Sequence, residues 1–108
     1  MNESKRTSQV LKRFRELYPD GIAWKFNDRI ARSRPDAMFI RKGRVSCVEF
    51  KMEGNNPTPG QMLERQALNR AGVNTYVVWF SKSGRGVSFE LGNPHETCTI
   101  DELCHFLA

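Results

Sequence analysis

The stretch that most constrains this chain is residues 35–51, Pro-Asp-Ala-Met-Phe-Ile-Arg-Lys-Gly-Arg-Val-Ser-Cys-Val-Glu-Phe-Lys. Two apolar runs, 37–40 and 45–50, flank a charged Arg-Lys-Gly-Arg turn, which is the pattern of a β-hairpin. With Lys42 and Gly43 as the loop, Arg41 sits opposite Arg44, and the same register sets Asp36 across from Glu49. Residues in direct register share a face of the sheet, with Cβ atoms about 4.5–5.5 Å apart. Carboxylates so close repel unless a cation lies between them. Lys51 is two residues beyond Glu49 and projects from that same face. Two acids and an amine are therefore expected at the open end of the hairpin.

The hairpin is apolar on both sides. Met38, Ile40, Val45 and Cys47 share the face of the acids, and Ala37, Phe39, Val48 and Phe50 form the other. A sheet with two apolar faces is covered by helices on both. The flanking sequence supplies them. Residues 3–18 place Val10, Leu11, Phe14, Leu17 and Tyr18 at helical spacing, with Lys5, Lys12, Arg13, Arg15 and Glu16 largely on the rest of the cylinder. Thr7 and Glu3 extend the inward stripe. Glu3 thus has two readings: an acid reaching towards Asp36 and Glu49, or an exposed first-turn carboxylate favourable to the helix dipole.

Pro19-Asp20-Gly21 ends that helix, and 22–26 is a short strand with Trp24 and Phe26 on one side and Lys25 on the other. The loop 27–34 brings Arg29, Arg32 and Arg34 to the threshold of Pro35-Asp36, suited to phosphate contacts. After a polar connection, Thr58-Pro59-Gly60-Gln61 opens a second helix: N-cap, proline at the first position and a capping-box glutamine. That helix runs to Gly72, and the apolar run 73–80 follows as a strand. Strand, helix, strand implies a right-handed crossover and a parallel partner for the Glu49 strand. A Gly-rich turn leads to an edge strand at 87–91. Thr99-Ile100-Asp101-Glu102 caps a terminal helix with Ile100, Leu103, Phe106 and Leu107 inward. His95, Cys98, Cys104 and His105 match no zinc spacing.

These elements amount to an α/β fold, a mixed central sheet flanked by helices on both faces, in a single domain over 1–108. No apolar run approaches the ~20 residues of a membrane span, and the polar start is no secretory signal. Three cysteines without motif spacing fit a reducing, cytoplasmic setting. The net charge of +5 is uneven: residues 1–51 hold 13 Lys/Arg against 6 Asp/Glu, and residues 52–108 hold 4 against 6. The basic half is the half with the carboxylate pair, so a polyanion reaching that site is the expected partner.

Pro35-Asp36 followed by Glu49-Phe50-Lys51 resembles the signature of the PD-(D/E)XK nuclease superfamily. With the helix acid Glu3, the capped-helix Gln61 and the following strand, the chain looks like the VRR-NUC branch, small and often phage-borne nucleases. It departs where Arg32-Ser33-Arg34 stand in place of the glycine that often precedes Pro-Asp. The resemblance implies a restriction-endonuclease-like core and a metal-dependent endonuclease hydrolysing DNA, structure-specific (junction or branched DNA) rather than sequence-specific. It implies Mg²⁺ (or Mn²⁺) held by Asp36, Glu49 and the main-chain carbonyl of Phe50, with Glu3 in support. Lys51 would act on the attacking water and Gln61 on a water or phosphate. Lys12, Arg13 and Lys25 would join Arg29, Arg32 and Arg34 on the DNA, and a homodimer is implied because some family members cleave junctions as dimers. The alternative is a non-catalytic nucleic-acid-binding module retaining the fold, in which Asp36 and Glu49 are a structural pair salt-bridged to Lys51 and Arg34.

Overall fold

The structure, a computed structural model, describes residues 3–26, 35–82, 87–89 and 97–108. Along the chain these form α1 (Glu3–Leu17), β1 (Ile22–Lys25), β2 (Ala37–Arg41), β3 (Arg44–Met52), α2 (Pro59–Arg70), β4 (Asn74–Phe80), β5 (Val87–Phe89) and α3 (Ile100–Leu107). The strands make one five-stranded sheet in the order β1-β2-β3-β4-β5. Every pairing is antiparallel except β3–β4, which α2 joins as a parallel crossover.

The hairpin has the register its turn dictates. Lys42 and Gly43 both take positive φ, 50° and 79°, the backbone signs of a two-residue type I′ loop. Arg41 then pairs with Arg44 and the ladder runs back to Ala37 opposite Val48. Gly21, at the turn between α1 and β1, is a packing requirement: a Cβ there would lie 2.9 Å from the Phe14 ring and 3.2 Å from the Ile40 carbonyl.

One face of the sheet is a dry core. Ala37, Phe39, Val48, Phe50, Val78 and Phe80 are fully buried there beneath Val10, Leu11 and Phe14 of α1 and Leu103, Cys104 and Leu107 of α3. The rings interlock, Phe14 edge-on to Phe39 at 5.0 Å and Phe50 stacked on Phe80 at 5.3 Å. Each such side chain contributes roughly 1.5–3 kcal/mol by leaving water. On α3 the inward residue is Cys104 and not Phe106. Phe106 is exposed at the flank, where its ring meets Tyr76 edge-on at 5.0 Å, and Ile100 is half-buried.

The other face is only half covered, against the expectation of equal burial. A crossover helix lies over the strands it connects, so α2 packs on β4, reaches β3 through Gln61 and Glu49, and leaves β1 and β2 open. Met38, Ile40 and Val45 are half-buried, and β1 turns Trp24, 52 % exposed, outward opposite Met38 while packing through Ala23, 2 % exposed. An apolar groove of about 210 Å³ remains between this half of the sheet and α2.

Candidate active site

The open ends of β2 and β3 gather the chemistry. Beyond the Ala37–Val48 pair the ladder stops. The Asp36 N–H donates to the Val48 carbonyl at 3.0 Å, so Asp36 does not continue the ladder as the partner of Glu49. Its side chain instead reaches across to β3, where Oδ2 accepts the Phe50 N–H at 2.7 Å. The Asp36 carbonyl is held in turn by the Phe26 N–H at 2.8 Å. The expected convergence survives by this different route, since the Asp36 carboxylate lies close enough to Glu49 for its charge to raise the Glu49 carboxyl.

Glu49 is 5 % exposed although it is an acid. Burial, and secondly the neighbouring Asp36 charge, push its carboxyl up to about 8; Lys51, with Nζ 3.9 Å from Glu49 Oε1, pulls the other way. Gln61 donates Nε2–H to Glu49 Oε1 at 2.7 Å, and its own Oε1 accepts the Thr58 N–H at 2.8 Å. Thr58 Oγ1 closes the capping box by accepting the Gln61 N–H at 3.2 Å. Both ends of the Gln61 amide are thus engaged, one on the helix cap and one on Glu49.

Glu3 resolves towards the inward reading. Its carboxyl is raised by partial burial and then by Asp36, and is steadied by Lys51 and the Met52 N–H. Glu3, Asp36, Glu49 and Lys51 therefore share one electrostatic neighbourhood. Arg6 joins this corner without having been expected there. It follows Glu3 on the stripe that carries Val10, is 4 % exposed, donates Nη1–H to the Ser81 carbonyl at 2.5 Å and stacks 4.6 Å over the Phe80 ring. It ties the start of α1 to the end of β4, which keeps Glu3 over the sheet. An arginine placed on an apolar stripe was the available signal.

The expected DNA-binding side chains divide. Lys12 is exposed and, with Ser4, Lys5, Ser8 and Gln9, lines a shallow surface of α1. Lys25 is exposed near the start of α1, where Nζ meets Ser4 Oγ at 3.3 Å. Arg13 is spent on structure: it forms a two-pronged pair with Asp101 of α3 at 2.7 and 2.9 Å and lies 3.6 Å from Glu16. Arg29, Arg32 and Arg34 fall outside the described residues.

Among the described residues no three acidic, histidine or cysteine side chains gather into a metal cluster. An ion here would rest on the carboxylates of Asp36 and Glu49, the Phe50 carbonyl and water. That all-oxygen donor set suits a hard divalent cation. The raised Glu49 carboxyl fits as well, because a cation relieves the repulsion that holds its proton.

A mixed sheet with Asp36 just ahead of β2 and Glu49-x-Lys51 on β3 has a restriction-endonuclease-like fold consistent with a PD-(D/E)XK core, and its form here is VRR-NUC-like. The chain is similar to a solved VRR_NUC domain, with 25 % identity and a TM-score of 0.58 over 71 % of this chain and 84 % of that one. It also shares its fold with Hjc, a Holliday junction resolvase from the archaeal hyperthermophile Archaeoglobus fulgidus, at 15 % identity and a TM-score of 0.51 over 72 % of each chain. The sequence itself matches no family model and no curated protein. Among the described residues, no helix is long and apolar enough to cross a membrane.

Proposed function

We propose that this chain is a divalent-metal-dependent endonuclease that hydrolyses DNA phosphodiesters and recognises the shape of branched or junction DNA. The observation that supports it most is the buried Glu49, pushed up to about 8 by burial and Asp36 with Lys51 at 3.9 Å. An acid held this far from its ordinary state is an expensive structural pair and a fitting ion site. The likeness to a VRR_NUC domain and to a Holliday junction resolvase points the same way.

Asp36, Glu49 and the Phe50 carbonyl would hold Mg²⁺ or Mn²⁺. Bound there, the ion supplies Lewis acidity and offsets the charge that builds on the phosphate oxygens. The remaining work belongs to the chain. Asp36 is pinned through the Phe50 N–H, Glu49 through Gln61, so neither carboxylate must reorganise as charge develops. Lys51 aligns the attacking water and adds a positive charge beside the scissile phosphate. Lys12 and Lys25 sit where the backbone of the nucleic acid can reach them. One site cuts one strand, so two copies of the chain acting together account for cutting both.

The test is incubation of the wild type and Lys51→Ala with linear, flap, junction and single-stranded DNAs, with Mg²⁺, Mn²⁺ or EDTA. Metal-dependent products that vanish in Lys51→Ala are expected. Tight binding with no products in any metal would instead identify a binding module that keeps the nuclease fold.

A further inference from the structure

The site so described makes no use of Trp79. β3 and β4 run parallel, with Glu49 beside Val77 and Lys51 beside Trp79. Neighbours in register share a face, so the Trp79 ring stands on the side of Glu49 and Lys51, about 6–7 Å further along the strands than Glu49. α2 does not cover it. Gln61 meets Glu49, and one turn later Arg65 reaches the Thr75 carbonyl, so the helix runs back along β4 and away from Trp79.

What borders the ring is the 53–58 connection, whose Asn55 carbonyl accepts the indole N–H at 2.7 Å. That bond fixes the ring while leaving it half-buried. Phe14, Phe39, Phe50 and Phe80 are packed ring to ring, but among the described residues no ring or guanidinium stacks on Trp79. Two cations stand at this end of the sheet beside the exposed Glu53: Lys51 on the adjoining strand, and Lys82, whose ammonium comes within 3.9 Å of where a Cβ on Gly54 would stand. A fixed, partly open indole beside Lys51, on the strand next to Glu49 and on the same face, is the composition of a surface that stacks a nucleobase beside a held phosphate. Bases inside an intact duplex are already stacked and cannot present a face to it.

We propose that Trp79 is a stacking platform for an unpaired base next to the scissile phosphate, so that the substrates are DNAs with an unpaired nucleotide at the cut, such as flaps, gaps and open branch points. This rests on the nuclease reading above but has its own readout. Binding is measured at low salt with EDTA, using a 5′-flap DNA, a single strand and a blunt duplex. Trp79→Ala is expected to weaken flap and single-strand binding about tenfold or more, with duplex binding changed less than twofold. Trp79→Phe, which keeps an aromatic face, should stay within about threefold of wild type. The chain has two tryptophans, so in Trp24→Phe the emission reports Trp79 alone; flap and single strand should quench it and duplex should not. This second measurement stands even if Trp79→Ala fails to fold.

Equal losses on duplex and flap, or no quenching by the flap, overturn the proposal. Cleavage with Mg²⁺ on the same DNAs separates the two readings. A nuclease whose flap preference is unchanged in Trp79→Ala sinks the stacking role and leaves the activity. Base-dependent quenching without cleavage of any DNA by wild type sinks the activity and supports the platform.

Discussion

The two faces of the sheet solve opposite problems. Under α1 and α3, β2, β3 and β4 turn inward mostly apolar, fully buried residues whose aromatic rings interlock, with Ser46 as a buried polar exception. Across the same strands lie the buried polar residues Glu49 and Thr75 beside Val77 and Cys47, with the buried Gln61 of α2 reaching down to Glu49. The first face gains from its apolar contacts. The second holds a carboxyl whose charged form is disfavoured by burial and by Asp36, on strands that the first face holds in place. The pleat makes this division available, since Val48 and Phe50 face the core while Glu49 and Lys51, alternating with them, face the site.

The contrast breaks first at the acids. Asp36→Asn or Glu49→Gln should cut the cleavage rate about a thousandfold or more, the scale of several kcal/mol of charge stabilisation, while circular dichroism and melting show a folded protein. On the dry face the result reverses. Phe39→Ala should cost about 3–5 kcal/mol in urea unfolding by leaving a cavity, whereas Met38→Ala, its half-buried neighbour on the open face, should cost well under half as much. Equal losses would mean that the open face is covered in solution.

Gln61→Ala should raise the Mg²⁺ concentration needed for half-maximal cleavage about tenfold, as expected when a ligand loses its support, with a smaller change in the rate at saturating metal. A change in stability alone, with metal dependence untouched, would reduce Gln61 to a helix cap. A titration sharpens the point. Glu49 titrates near 8 in the folded chain against an ordinary 4.5, so between those values the folded state holds a proton that the unfolded state has released. Stability from this group is therefore lost as pH rises from about 5 to about 8, and no further above. Without divalent ions Glu49→Gln should melt several degrees higher than wild type near pH 8 and about level near pH 5, and Mg²⁺ should close the gap. A constant difference across that range would show that burial leaves the carboxyl in its ordinary state. The smallest effects lie outside the site: Lys12→Ala should weaken DNA binding and flatten its salt dependence by about one charge, and Arg13→Ala should leave both unchanged because Asp101 already occupies that guanidinium.

Much of this was legible in the residues. Lys42-Gly43 sets the turn, the turn sets the pairing, and the alternation of Val48, Glu49, Phe50 and Lys51 assigns each to a face. The capping boxes of α2 and α3 stand where Thr58 and Thr99 put them. Arg13 was not legible as a structural residue, because its partner Asp101 is 88 positions away. Nor was the bend at Asp36, where strand pairing gives way to a side-chain bond on the Phe50 N–H.

Sequence alone settled which residues alternate, where helices begin and how the hairpin folds back, because each of those depends on bonds and sterics among near neighbours. Only the tertiary structure decided that Glu49 is buried, that Gln61 spends its amide on it, and that Trp79 stands half-buried beside Lys51. Those outcomes depend on where α2 comes to rest on the sheet. That position is set by packing between distant segments, and no local pattern in the chain encodes it.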